Sequence, residues 1–86
     1  KMDHIIQGLQ ERNPNAVVLV GFNDCLIGTL TPSGGLPVAV YSTNMIIEKM
    51  VENGMDEESA WENYFFNIEQ APLGKYSPMM FSLEVE

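Results

Sequence analysis

The chain has one cysteine, one histidine and four basic residues, and no apolar run near the ~20 residues that span a bilayer. Each shortage excludes something. Cys25 has no partner for an internal disulfide and reads as a small buried apolar residue. His4 has no Cys, His or carboxylate at ligand spacing, and it lies in the weakest helical segment. Zinc sites and Ser-His or Cys-His nucleophile pairs therefore lack their parts. Lys1, Arg12, Lys49 and Lys75 are scattered, whereas binding to a nucleic-acid backbone or an anionic membrane needs clustered positive charge. The opening KMDHIIQGLQER shows no apolar signal core or small-residue cleavage site, so a cytoplasmic location is expected.

What is present is acid and apolar surface. Twelve Asp and Glu give a net charge of −8, which serves solubility and also suits an acidic face that engages a basic partner. DNA mimicry, the extreme form of that, is disfavoured because the acids sit at helix starts and on solvated helix faces rather than in one run. Apolar residues make up 45% of the 86, enough for one packed domain over residues 1–86 and against disorder.

The pattern predicts α+β architecture. Ile5, Ile6 and Leu9 fall at helical spacing within Asp3 to Arg12, and Asn13-Pro14-Asn15 ends that helix. Ala16 to Val20 (AVVLV) favours a strand by β-branched content, with a buried link as the alternative. Cys25 to Leu30 reads as a strand with a bulge or close approach at Gly28. Thr31 to Gly35 is a hairpin loop whose two glycines can take positive φ, and Leu36 to Tyr41 is the return strand, with Pro37 at its start. Val38 and Val40 should face one way, Ala39 and Tyr41 the other. Ser42 caps a helix over Thr43 to Glu52, which Asn53-Gly54 closes.

The best-specified stretch follows, GMDEESAWENYFFNIEQAPLGKY (Gly54 to Tyr76). Asp56 is the expected cap, Glu57 and Glu58 complement the helix dipole, and Met55 can staple against Ala60. Ala60, Trp61, Tyr64, Phe65 and Ile68 form a continuous apolar stripe, with Phe66 just off it. Met79 to Leu83 fits a last strand, and Glu84-Val85-Glu86 is expected to fray. The sum is a small, mostly antiparallel sheet of three or four strands, with an N-terminal helix and a helix pair packed on one face.

No constellation carries catalysis. Asp24 is the best acid by type, for base chemistry or a metal, but no second carboxylate has reason to join it. Glu58 and Glu62 share a helix face without the histidine and second ligand helix that a carboxylate metal site needs. Asp56, Glu57 and Glu58 would repel a phosphate from the strongest helix N-terminus. No cofactor is expected. Met79-Met80-Phe81, on an edge strand, could pair with a second copy, so a homodimer is one expected form of association.

GFNDCLIG (Gly21 to Gly28), VAVYS (Val38 to Ser42) and IIEKMVENGMDEESAWENYFFNIEQAPLGKYSP (Ile46 to Pro78) together resemble a family of short bacteriophage proteins, cyanophages included, also found in some bacterial genomes. Its pattern matches Asp24, Gly28, Tyr41, Gly54, Met55, Glu58, Ala60, Asn67, Gly74 and Pro78, and departs at Asn23, Cys25 and Ser77. The resemblance covers about two-thirds of the chain and implies a source and a fold more than a mechanism; a phage-encoded chain would work in the host cytoplasm.

Three functions are then weighed. The first is a non-enzymatic phage-type accessory protein that binds a host or viral protein, in counter-defence for example. The second is a module that binds or sequesters a nucleotide signal, with a pocket near Asp24, Tyr41 and Asn67. The third, held as remote, is a small hydrolase or metal enzyme using Asp24. The residues singled out for a ligand or partner are Asp24, Tyr41, Asn67, Lys75 and Tyr76. Neither direct nucleic-acid binding nor a membrane is expected.

Overall fold

Helix α1 (Met2–Arg12) opens the chain in a computed structural model that describes residues 2–84. Leu9 is fully buried and Ile5 and Ile6 are partly so, as the helical spacing requires. Asn13 does more than stop the helix. Its amide Nδ2 donates to the Pro37 carbonyl at 2.9 Å, and its Oδ1 accepts the Asn15 N–H at 3.2 Å. That fully buried side chain ties the end of α1 to the start of the return strand.

Residues 16–20 form a link and not the strand that their β-branched content favours. The Val17 N–H donates to the Tyr76 carbonyl at 3.2 Å, and the Leu19 N–H donates to the Tyr41 hydroxyl at 2.8 Å. Two isolated bonds, one of them to a side chain, replace a ladder. Ala16 is buried, while Val20 is almost fully exposed beside Gly21, whose φ is +90°.

A 3-10 turn (Asn23–Cys25) leads into β1 (Leu26–Leu30), which pairs antiparallel with β2 (Val38–Ser42). The register shifts between Leu26 and Gly28, the bulge expected at that glycine. It turns both Leu26, opposite Tyr41, and Thr29, opposite Ala39, to the same face. In the hairpin loop only Gly34 takes a positive φ, +73°. Ser42 ends β2 and caps α2 (Thr43–Glu52), its hydroxyl accepting the Met45 N–H at 3.2 Å. Gly54, at φ +114°, closes α2 in the left-handed region that glycine tolerates best.

The Asp56 carboxylate then accepts the Ser59 N–H at 2.7 Å and starts α3 (Glu57–Tyr64). That bond holds the Asp56 carboxyl below its ordinary value, so the folded pKa lies under the unfolded one. The cap therefore stabilises above the unfolded carboxylate range, and its contribution is lost as pH falls through the lower folded pKa. Asp56→Ala should melt lower than the parent at pH 7. The two melting temperatures should converge near pH ~2, where both carboxyl states are protonated.

Strand β3 (Met79–Phe81) lies beside β2, parallel to it. Among the described residues the chain is thus a small α+β fold with three α-helices and a three-stranded mixed sheet in the order β1-β2-β3. The expected antiparallel pairing holds for β1–β2 and not for β2–β3. The helix pair α2–α3 sits between β2 and β3 as a crossover, and a strand that returns through such a crossover runs parallel. A fourth strand would have needed residues 16–20 in the ladder. The last strand is also shorter than Met79 to Leu83, because the Leu83 N–H turns aside to the Asn44 Oδ1 at 2.8 Å. Of the terminal stretch expected to fray, residues 85 and 86 lie outside the described residues.

Leu9, Leu26, Ala39, Tyr41, Ile46, Met50, Ala60 and Tyr64 belong to one buried cluster, with Cys25 among them. Helices α1 and α2 pack on the sheet, and α3 packs on α2. Among the described residues no helix is long and apolar enough to cross a membrane.

Candidate protein-binding surface

The residues singled out by sequence do not meet. Asp24 lies on the 3-10 turn with its side chain mostly exposed, and both its carboxylate oxygens accept from Lys49 Nζ at 3.0 Å. The lysine holds the Asp24 carboxyl below its ordinary value. An exposed pair of this kind adds little stability. The adjoining cavity, about 140 Å³, is lined by Asp24, Cys25, Met45, Glu48, Lys49 and Glu52, without Tyr41 or Asn67. Tyr41 is fully buried and its hydroxyl is taken by Leu19. Asn67 is exposed in the turn of residues 65–69 that follows α3, and Lys75 sits 5.4 Å over the Tyr76 ring. Tyr76 is partly buried and its carbonyl is bonded to the 16–20 link.

Cys25 is buried, and its thiol is pushed up to about 11, first by that burial and then by the Asp24 charge. It should therefore resist a thiol-disulfide reagent at pH 8 in the folded protein and react at once in denaturant. Native-state labelling at the unfolded rate would contradict that placement. Among the described residues no three His, Cys, Asp or Glu groups stand where they could hold a metal ion.

The apolar stripe of α3 is only half buried. Ala60 and Tyr64, one turn apart, are buried, and the Tyr64 hydroxyl bonds the buried Thr43 hydroxyl at 2.8 Å. Burial pushes the Tyr64 hydroxyl above its ordinary value. These two residues, with partly buried Ile68, carry the contact with α2 and the core. The apolar stripe is wider than that. Trp61 and Phe65, also one turn apart, stay 42% and 40% exposed. A single neighbouring helix covers only a narrow arc of α3, so the far half of the stripe stays partly exposed.

The backbone changes there too. Phe65–Glu69 form a π turn, in which the Gln70 N–H donates to the Phe65 carbonyl at 3.0 Å. Phe66, 66% exposed, meets Phe65 edge-on with ring centroids 5.3 Å apart, and Trp61 meets Tyr64 edge-on at 6.0 Å. Three large aromatic side chains thus stand at the surface of a helix that is otherwise well anchored. Around them are Glu57, Glu58, Glu62 and Glu69, all exposed, and no residue from Glu57 to Glu69 is basic. Beside Glu57 lies a groove of about 500 Å³, lined by Ile47, Glu48, Val51, Glu52 and Glu57. Ile47 and Val51 with three carboxylates are a lining whose chemistry suits the aliphatic stem and cationic head of a lysine or arginine.

The available sequence signal was the width of the stripe: Ala60 to Phe65 spans more of the helix circumference than one packing partner covers. Compared with known proteins, the chain matches no family model, no curated protein and no solved structure.

Proposed function

We propose that the chain is a non-enzymatic binding protein whose acid-rimmed aromatic surface on α3 and the π turn docks on another protein. The observation that carries this is the exposure of Trp61, Phe65 and Phe66 together, next to a core that is already complete. Exposed aromatics of this kind supply most of the affinity in protein interfaces, while surrounding charge steers the encounter and selects the partner. The partner's chemistry follows from the rim: an apolar pocket or groove bordered by Lys and Arg. The resemblance to short phage proteins motivates the biological reading, an accessory protein that binds a host or viral protein, with counter-defence as the expected setting.

A nucleotide-binding role draws no support from the site, since Asp24, Tyr41 and Asn67 line no common cavity. An Asp24-based hydrolase draws no support either: Glu48 and Glu52 line the cavity beside it, but Lys49 takes both oxygens of the Asp24 carboxylate.

The test is comparative capture. The parent chain and Phe66→Glu, immobilised at equal density, are exposed to bacterial lysate at low and moderate salt. A protein with a basic surface that the parent retains, that salt weakens and that Phe66→Glu loses supports the proposal. Identical sets of captured proteins on both would sink it.

A further inference from the structure

The sheet has a second face, and the chain's charge avoids it. Helices α1 and α2 cover the face that carries Leu26, Ala39, Tyr41 and Met80. Register turns Leu30, Val38, Val40, Met79 and Phe81 to the opposite side. Val38 is buried there and Val40 partly so, but Leu30, Met79 and Phe81 remain 44%, 49% and 51% exposed. Leu36 and Leu83, exposed to a similar degree, flank the strands. No residue of β1, β2 or β3 is charged, in a chain whose net charge is −8.

That combination selects the occupant. A basic partner would be drawn to the acidic helices, not to a face without charge. A second copy fits. The strands of two such faces bring no charged residue together, with Glu84 next to Leu83 at the margin, and a two-fold axis makes one apolar face complementary to itself. Sheets also pack face to face readily, about 10 Å apart. The area is sufficient: half-exposed side chains of this size offer on the order of 100 Å² each, so two copies bury about 1,000 Å², the lower bound for a specific contact.

We infer that the chain forms a two-fold homodimer through the uncovered face of its sheet, centred on Leu30, Met79 and Phe81. An interface of this size gives a weak, concentration-dependent dimer. It leaves the α3 aromatic surface free, so each dimer presents two copies of it.

Sedimentation velocity from low micromolar to near-millimolar concentration tests this. The parent should rise from 9.6 kDa toward twice that mass. Leu30→Glu and Phe81→Glu should each weaken association at least ~10-fold, since each places a charge in the apolar centre. Leu30→Ser and Phe81→Ser serve if either glutamate variant loses its far-UV circular dichroism. Phe66→Glu, on the other surface, should dimerise like the parent, which separates this inference from the proposed binding role. A parent that stays monomeric throughout overturns the inference. So does Leu30→Glu with parental dimerisation, which would mean edge pairing through β3, and so does a dimer that Phe66→Glu abolishes.

Discussion

Tyr41→Ala is expected to cost about 3–5 kcal/mol, and Tyr41→Phe only about 1–2 kcal/mol. The two numbers separate two jobs. The ring is fully buried in the central strand, in the same cluster as Leu9, Leu26 and Ile46, so its removal leaves a cavity where both helices meet the sheet. The hydroxyl only accepts the Leu19 N–H at 2.8 Å, and losing it strands one partly buried donor. A domain of this length holds roughly 4–13 kcal/mol in all, so the alanine variant should be largely unfolded at temperatures the phenylalanine variant survives. Urea titration followed by far-UV circular dichroism measures both. Equal losses would mean that the hydroxyl contact dominates and that the ring is poorly packed.

The same residue weakens the fold in alkali. Burial raises the hydroxyls of Tyr41 and Tyr64 above their ordinary value. A group whose folded pKa is raised stabilises below the unfolded pKa and loses that contribution as pH rises through the folded one. Stability should therefore fall above pH ~10.

The second large effect is on binding rather than folding. Trp61→Ser with Phe66→Ser deletes two of the chain's largest side chains, yet should leave the urea midpoint close to the parent's, because neither side chain is in the buried cluster. Binding to the captured partner should weaken by about 100-fold or more, the loss expected when central aromatic anchors are removed. Ala60→Trp gives the contrast. Ala60 is fully buried in the core that α2 and α3 share, so a large ring there should disrupt folding itself. A double variant that lost stability and binding together would move the α3 aromatics back into the core.

Most local structure was legible. Ser42 and Asp56 cap their helices as their residue types suggest, and Gly54 takes the left-handed conformation. Gly28 marks the bulge, and Pro37 precedes the return strand, where no ladder donor is needed. What was not legible depends on distant partners. Residues 16–20 have strand composition but form no ladder, and bonds to Tyr76 and Tyr41 tie them to distant parts of the fold. The direction of β3 follows from the α2–α3 crossover rather than from Met79–Phe81 itself. Asn13 looked like a helix stop, and only the fold brings Pro37 to its amide.

The site was partly legible for the same reason. Sequence located the aromatic cluster and the acids around it, but period alone cannot tell a stripe that is covered from one that is half covered. Asp24, Tyr41 and Asn67 looked like a constellation because all three match the pattern of the family the chain resembles, whereas Lys49 and Leu19 take the polar atoms of the first two.

Trp61, the only tryptophan, reports directly on the proposed surface. Its emission should shift to the blue and its quenching by iodide should fall when the captured partner is titrated in, with the change saturating at one partner per aromatic surface. Phe66→Glu should need at least ~10-fold more partner for the same change. Unaltered emission and quenching at saturating partner, with binding verified independently, would place the interface elsewhere and contradict the role assigned to α3.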